Sequence, residues 1–207
     1  MKNIDDLMRS AVELAERGLS KGEVADELNV SRETASWLID RSEASPGMTS
    51  GLDGPEDIHV DWNAIGRSSD RLSHVCAAMA DLLPGEDIDL TVGIEKAGVP
   101  LATTISQQLD TELGTYAPRK HQWNDNDIED LDGAFSRNFA QMDGKQCYVV
   151  DDTITTGTTM TESVESIRAE GAEPLACVVL VDKKGTDEIA GVPVHSLVQV
   201  IRVGDDE

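Results

Sequence analysis

Apolar residues recur at helical spacing through the first 42 residues of the chain. Positions three and four apart share one face of a helix, so this spacing predicts three short helices and a small all-α domain, residues 1–42. Gly18 is expected to end the first helix, and Ser31 to cap the third. Ser20 is expected to start the second helix, because Glu23 follows it at the spacing of a capping box.

From Asp57 onward, helical segments alternate with short apolar runs. Helices are predicted over residues 64–83, 99–109 and 158–170, and strands over residues 88–94, 113–118, 135–139, 146–150, 175–181 and 194–203. The alternation is typical of an α/β domain, here residues 57–207, with a mostly parallel sheet that binds ligands beyond the carboxyl ends of its strands. Residues 43–56 are rich in Ser, Gly and Pro, which predicts a linker between the two domains.

One predicted strand leads into a loop with its own chemistry. Its apolar residues are followed by two adjacent aspartates, and small hydroxyl residues around a glycine precede the next helix. Backbone N–H groups at a helix start favour an anion, and glycine lets the backbone approach it closely. Ionised carboxylates accept hydrogen bonds from the hydroxyls of a sugar diol. A sugar-phosphate site is therefore predicted at Asp151, Asp152, Thr155, Thr156, Gly157, Thr158 and Thr159.

The order of apolar strand, paired aspartates and Thr-Thr-Gly-Thr-Thr resembles the phosphoribosyl-pyrophosphate (PRPP) motif of type I phosphoribosyltransferases, most closely the orotate branch. The resemblance covers roughly residues 57–207 and implies the parallel-sheet fold of that family. It also implies a set of residues around the pyrophosphate: Lys96, Ala97, Gly98, Arg119 and Lys120. Magnesium would arrive with the phosphate ligand, because it usually keeps phosphate oxygens as ligands, and no metal site made by the protein alone is expected.

The chain departs from the orotate enzymes where they perform the transfer reaction. Those enzymes carry a mobile loop with a further Lys and a His-Gly pair, whereas residues 121–132 here contain five acidic residues and no Lys or Arg. A departing pyrophosphate needs cations nearby, so an acidic loop suits the reaction poorly. Lys183, after Asp182, stands where these enzymes use an Arg for the base, and Lys lacks the planar fork of Arg. No catalytic residue is therefore assigned.

The stretch from Gly18 to Ile39 resembles the helix-turn-helix of transcription regulators, with Ala25 at the close helix crossing and Val30 filling the turn. The resemblance implies that the third helix enters the major groove of DNA. The residues near its start would then meet base edges: Ser31, Arg32, Glu33, Thr34 and Ser36. Three short helices also fit a structural or dimerising bundle, and that alternative stays open.

Charge changes how DNA binding would work. The 207 residues carry a formal charge of −23, from 40 acidic and 17 basic residues. Residues 1–42 hold six basic and nine acidic residues, so the usual basic footprint of a DNA binder is missing. Acidity spread along the whole chain resembles proteins of organisms with molar salt in the cytosol. At about 1 M salt the Debye length is about 3 Å, so binding there depends on base contacts, shape and apolar contact.

Cysteine usage and the apolar runs indicate the compartment. Cys76, Cys147 and Cys177 lie far apart in apolar surroundings, which predicts buried thiols instead of a disulfide framework or a zinc site. No apolar run is long enough to span a membrane, and the N-terminus lacks an apolar signal core, so a cytoplasmic protein is expected.

Taken whole, the chain resembles a group of archaeal regulators built on an orotate phosphoribosyltransferase-like domain, associated in halophilic members with control of central sugar catabolism. The resemblance implies a DNA-binding transcription regulator whose second domain senses a phosphorylated metabolite such as PRPP. A homodimer is expected, because such transferases dimerise and helix-turn-helix proteins usually read paired half-sites. The alternative is an active orotate phosphoribosyltransferase with an appended N-terminal module.

Overall fold

The computed structural model describes residues 4–43, 55, 57–85, 87–118 and 134–201 of the chain. The chain divides into two compact units, with the division between Trp62 and Asn63. The second unit thus begins at Asn63, later than the Asp57 expected from the sequence. No helix among the described residues is long and apolar enough to cross a membrane.

The first unit contains the three predicted helices: α1 (Ile4–Glu16), α2 (Lys21–Glu27) and α3 (Arg32–Glu43). Their apolar faces form one core, made of Ala11, Val24, Ala25, Leu28, Val30, Ala35 and Leu38. The side chains of Ser20 and Glu23 make both hydrogen bonds of the predicted capping box. Asn29 adopts a positive φ of 51°, which turns the chain sharply between α2 and α3.

Residues just before the second unit pack on the turn between α2 and α3. The carboxylate of Asp57 accepts a hydrogen bond from the backbone N–H of Ser31. The side chain of Asn29 donates to the carbonyl oxygen of Val60 at 2.9 Å, and the Nδ1 atom of His59 lies 2.5 Å from Leu28 O. These contacts explain why residues 57–62 belong to the helical unit.

The second unit is an α/β domain. Its described helices are α4 (Asn63–Gly66), α5 (Ser69–Asp81), α6 (Gly98–Leu109) and α7 (Thr158–Ala169). Its described strands are β1 (Leu90–Ile94), β2 (Glu112–Ala117), β3 (Ala134–Phe135), β4 (Gln146–Ile154), β5 (Glu173–Asp182), β6 (Glu188–Ile189) and β7 (Val192–Gln199). They form a sheet in the order β3-β2-β1-β4-β5-β7-β6. The five central strands run parallel, and β3 and β6 pair antiparallel at the two edges.

Both faces of the sheet are buried. Met160, Val164 and Ile167 of α7 pack in one apolar cluster with residues of the central strands, among them Val149 and Val179. Side chains alternate between the faces of a strand, so the equally buried residues between these point the other way, toward the side covered by α5 and α6. A sheet buried on both faces exposes its loops, which is where ligands reach this fold.

Several predicted elements differ from the structure at their ends. The helix predicted over residues 64–83 is interrupted, since Ser68 lies outside it and its hydroxyl caps α5 by accepting from Arg71 N at 3.4 Å. The strand predicted over residues 135–139 is wrong beyond Phe135, because the chain turns there and Phe139 N donates to Ser136 O at 3.3 Å. The last strand ends at Gln199, so Val200 and Ile201 lie outside it, and residues 202–203 of the predicted strand fall outside the described residues.

All three cysteines are buried and free, as predicted. Burial raises the pKa of the Cys147 thiol to about 12, with the negative charge of Glu173 contributing in the same direction. Burial likewise raises the pKa of Cys177 to about 12, with Cys147 contributing in the same direction. The thiolate is the reactive form, so both thiols are held in an unreactive state at neutral pH.

We therefore expect iodoacetamide to leave Cys147 and Cys177 unmodified in the folded protein at about pH 9, where an ordinary cysteine is half ionised. The same reagent should label them in denaturant, and mass spectrometry of both samples makes the comparison. Between the ordinary pKa of 9.0 and about 12, the unfolded chain releases protons that the folded chain keeps. The free energy of unfolding should thus fall as pH rises through this range. Equal labelling in both samples would contradict the burial.

A sugar-phosphate cradle and a DNA-facing helix as candidate sites

The paired aspartates lie at the carboxyl edge of the sheet. Strand β4 continues to Ile154, beyond Val150, its last pairing with β1. Asp151 is half-buried and Asp152 is 9% exposed. One oxygen of Asp151 accepts from the backbone N–H of Asp152 at 2.9 Å, and one oxygen of Asp152 accepts from the Thr153 hydroxyl at 3.3 Å. The aspartates therefore stand where ligands reach a parallel sheet.

The loop after β4 turns directly into α7. Gly157 precedes the first residue of the helix in a left-handed conformation, with φ of 83°, and contributes no side chain to cap it. The Thr156 hydroxyl lies 3.1 Å from the Thr158 hydroxyl and accepts from Thr158 N at 3.4 Å. Thr155 and Thr159 are half-buried, on either side of these residues. The loop thus combines hydroxyl groups with the positive end of a helix dipole, which suits an anion.

A second loop, between β1 and α6, presses against the aspartates. A β-carbon built on Gly98 would lie 2.5 Å from Val150 O and 3.1 Å from an oxygen of Asp151. Only glycine fits such an approach, so Gly98 is required by packing at this position. Ala97 is half-buried and Lys96 is exposed, and the peptide bond between Glu95 and Lys96 is cis. The structure therefore brings the predicted Lys96–Gly98 loop and the aspartates together.

A third loop, after β5, completes the surroundings of Gly157. Asp182 is 1% exposed, and its carboxylate accepts from the backbone N–H groups of Lys184, Gly185 and Thr186 at 2.8–3.0 Å. The Nζ atom of Lys184 would lie 3.1 Å from a β-carbon built on Gly157. The sequence analysis did not identify Lys184, because the resemblance to the orotate enzymes draws attention only to Asp182 and Lys183 in this turn. We call residues Asp151–Thr159 together with Gly98 and Lys184 the cradle.

The structure does not describe two of the residues predicted to bind the pyrophosphate. Arg119, Lys120 and the acidic residues 121–132 lie outside the described residues. Within the described ranges, no group of His, Cys, Asp and Glu is arranged to hold a metal ion. The cradle consequently rests on the β4, β1 and β5 loops.

Helix α3 presents a mixed polar face. Arg32 and Glu33 are exposed, and Ser36 is half-buried. The Nζ atom of Lys21 donates to the Ser36 hydroxyl at 2.6 Å and lies 3.7 Å from a carboxylate oxygen of Asp40. Exposed charged residues and hydrogen-bonded polar residues therefore lie together on α3.

One of the residues predicted to meet DNA, Thr34, is buried at the start of α3. Thr34 is only 9% exposed, and its hydroxyl lies 2.8 Å from that of Ser31. The Ser31 hydroxyl also accepts from Thr34 N at 3.1 Å, so it caps α3 as predicted. Thr34 is thus buried at the helix start and does not lie on the outer face, which corrects that part of the prediction.

Comparison with known proteins agrees with this fold. The family described as phosphoribosyl transferase domain matches residues 61–190. An orotate phosphoribosyltransferase from Aeropyrum pernix superposes with a TM-score of 0.56 at 20% identity, over 80% of this chain and 92% of its own. Fold and sequence therefore define a phosphoribosyl transferase domain.

Relatives that match over nearly the whole chain identify the family more closely. A transcriptional regulator GfcR from Haloarcula marismortui is 65% identical over 100% of this chain and 99% of its own length. Another transcriptional regulator GfcR, from Haloferax volcanii, is 62% identical over 99% of this chain and 100% of its own. The chain belongs to this archaeal family of transcriptional regulators with a phosphoribosyl transferase domain. Membership favours the regulator over the active enzyme.

Proposed function

We propose that this regulator binds double-stranded DNA through α3 and senses a phosphorylated sugar in the cradle, with PRPP as the first candidate. The observation that carries the proposal is the meeting of three loops at one edge of the sheet. There, the Gly98 backbone lies against Asp151, and the Gly157 turn opens α7 beside it. A sensor needs such a site as much as an enzyme does.

The chemistry of the cradle supports a sugar with a phosphate at one end. The carboxylates of Asp151 and Asp152 are acceptors, which suit two neighbouring hydroxyls. The start of α7 and its threonine hydroxyls are donors, which suit a phosphate. PRPP would bring magnesium on its own oxygens, and that ion would neutralise part of the diphosphate charge. Lys96, in the loop beside Asp151, would lie near that diphosphate.

The face of α3 supports contact with the major groove. Arg32 is exposed in the first turn, where reading helices meet base edges, and Ser36 follows one turn later. We propose a homodimer, so that two copies of α3 read half-sites about 10 base pairs, or a multiple of that, apart. The negative charges of Glu33 and Asp40 on the same helix oppose nonspecific attraction to the phosphate backbone, so recognition would depend mainly on base contacts. Control of central sugar catabolism, in the cytoplasm, is the regulatory role that the family resemblance favours.

An active orotate phosphoribosyltransferase is the competing function, and one paired experiment separates the two. A single preparation in molar salt is assayed for transfer from PRPP to orotate and for selection of DNA from random sequence. We expect a selected DNA motif and no orotate transfer above background at saturating PRPP and magnesium, because residues 121–132 contain five acidic residues and lack the further Lys of the orotate enzymes. Turnover of about 1 per second or faster, the range of ordinary enzymes, would overturn the regulator-only account.

A further inference from the structure

Lys184 lies at the point of the cradle where the phosphate of a sugar phosphate would bind. The nearest atoms to a β-carbon built on Gly157 are Nζ of Lys184 at 3.1 Å, Cδ1 of Ile189 at 3.3 Å and Cδ of Lys184 at 3.4 Å. The lysine side chain thus runs along the glycine turn, and its ammonium group lies beside the start of α7. A positive charge there adds to that of the helix dipole.

The position of Lys184 is set by the backbone around it. The buried carboxylate of Asp182 accepts hydrogen bonds from the N–H groups of Lys184 and the two residues after it. The backbone N–H of Lys183 donates to Ile154 O at 2.8 Å, which ties this turn to the end of β4. The same strand leads into the loop that contains Gly157, so the turn that carries Lys184 and this loop are both attached to the end of β4.

The charge around Lys184 is available to a ligand. The chain has only 17 basic residues against 40 acidic ones, so few positions near a helix start carry a basic residue by chance. Among the residues that the structure describes, no carboxylate forms an ion pair with its ammonium group. Asp182, the nearest carboxylate in sequence, is engaged with backbone N–H groups instead.

We infer that Lys184 is a ligand-binding residue that pairs with the dianionic phosphate monoester of the sensed sugar. The inference rests on the proposed function of the cradle and adds the residue that recognises the phosphate charge. Lys184 would act on the monoester phosphate, at the Gly157 turn. Lys96, on the separate loop beside Asp151, would act only on a diphosphate at the other end of the ligand. The two lysines therefore distinguish ligands with one phosphorylated end from ligands with two.

The test is calorimetric titration in molar salt of the full-length protein and three variants, with ribose 5-phosphate and with PRPP plus magnesium. Lys184→Gln should weaken both ligands by about tenfold, the weight of one charge-assisted hydrogen bond. Lys184→Arg should keep ligand affinity within about threefold of the unchanged protein, because arginine keeps the positive charge and changes only the shape of the charged group. Lys96→Gln should weaken PRPP and leave ribose 5-phosphate unchanged. Lys184 is exposed, so thermal unfolding should confirm that each fold is intact.

The outcomes separate two failures. If the unchanged protein binds ribose 5-phosphate and Lys184→Gln binds it equally well, Lys184 is not a phosphate ligand, while the sensing proposal stands. If the unchanged protein binds neither ligand, the sensing proposal fails and the role of Lys184 fails with it. If Lys184→Gln and Lys184→Arg lose the same affinity, the side chain acts by shape, and the proposed charge pairing is wrong.

Discussion

Gly157→Val is expected to abolish binding of ribose 5-phosphate and PRPP, a loss of at least about 100-fold, because valine destroys the geometry of the loop. The residue adopts φ of 83°, where a β-branched side chain is strained. Its side chain would also meet Lys184 and the buried Ile189, both within 3.4 Å of the new β-carbon. Either the turn straightens or these neighbours move, and in both cases the N–H groups at the start of α7 lose their arrangement. Calorimetric titration measures the effect.

Gly144→Val is the matched control. Gly144 has a similar positive φ of 75°, and a β-carbon there would meet nothing within 4 Å. It lies before β4, at the opposite end of the strand from the cradle. Both variants should lose stability from backbone strain, by roughly 1–3 kcal/mol. Only Gly157→Val should lose the ligand, and retention of ligand affinity by that variant would exclude the Gly157 turn as the phosphate site.

Removal of residues 1–42 is expected to eliminate specific DNA binding, since it deletes all of α1 and α2 and most of α3. The finer variant is Arg32→Ala, which should weaken specific binding by roughly 1–3 kcal/mol and relax one position of the site. The reason is the exposed place of Arg32 in the first turn of α3, from which a guanidinium group reaches base edges. Fluorescence anisotropy with the selected DNA and with single-base variants of it measures both effects.

Arg9→Ala is the control for charge alone. Arg9 is exposed on α1, where it pairs with Asp6 at 3.3 Å, and it is equally a cation of the helical unit. If α3 reads bases, Arg9→Ala should change affinity little and leave the sequence preference intact. Equal effects of the two substitutions, with no change in preference, would mean that Arg32 contributes charge without reading sequence. Specific binding that persists without residues 1–42 would remove α3 as the DNA-reading element.

Features set by neighbouring residues could be predicted from the sequence. The capping box of Ser20 and Glu23, the cap at Ser31 and the order of strand, loop and α7 depend on residues a few positions apart. The parallel sheet followed from alternation of helices and strands, since a parallel connection requires a crossover. Gly157 could be recognised for the same reason, because it lies between the strand and the helix among small hydroxyl residues.

Features set by distant contacts could not be predicted. Lys184 reaches Gly157 only because buried Asp182 shapes the turn after β5, and no spacing along the chain signals that approach. The return of Asp57 to the N–H of Ser31 likewise joins residues far apart in sequence. Strand β6, two residues long, is too short for any periodicity. Thr34 is buried at the start of α3, where its hydroxyl lies 2.8 Å from that of Ser31, although its position in the helix allowed an outward direction.

If the cradle controls DNA affinity, binding of a sugar phosphate and binding of DNA must influence each other. DNA affinity is determined with and without PRPP or ribose 5-phosphate, for the unchanged protein and for the double variant Asp151→Asn, Asp152→Asn. The substitutions keep the size of both side chains, but they replace one acceptor oxygen of each carboxylate by an amide group and remove its charge. They should therefore weaken hydrogen bonding to the sugar hydroxyls. We expect a ligand to change the DNA affinity of the unchanged protein by a coupling free energy of about 1–3 kcal/mol, and we expect the double variant to lose this response. A response that the double variant keeps in full would mean that the effector acts through another site and that the cradle does not control DNA affinity.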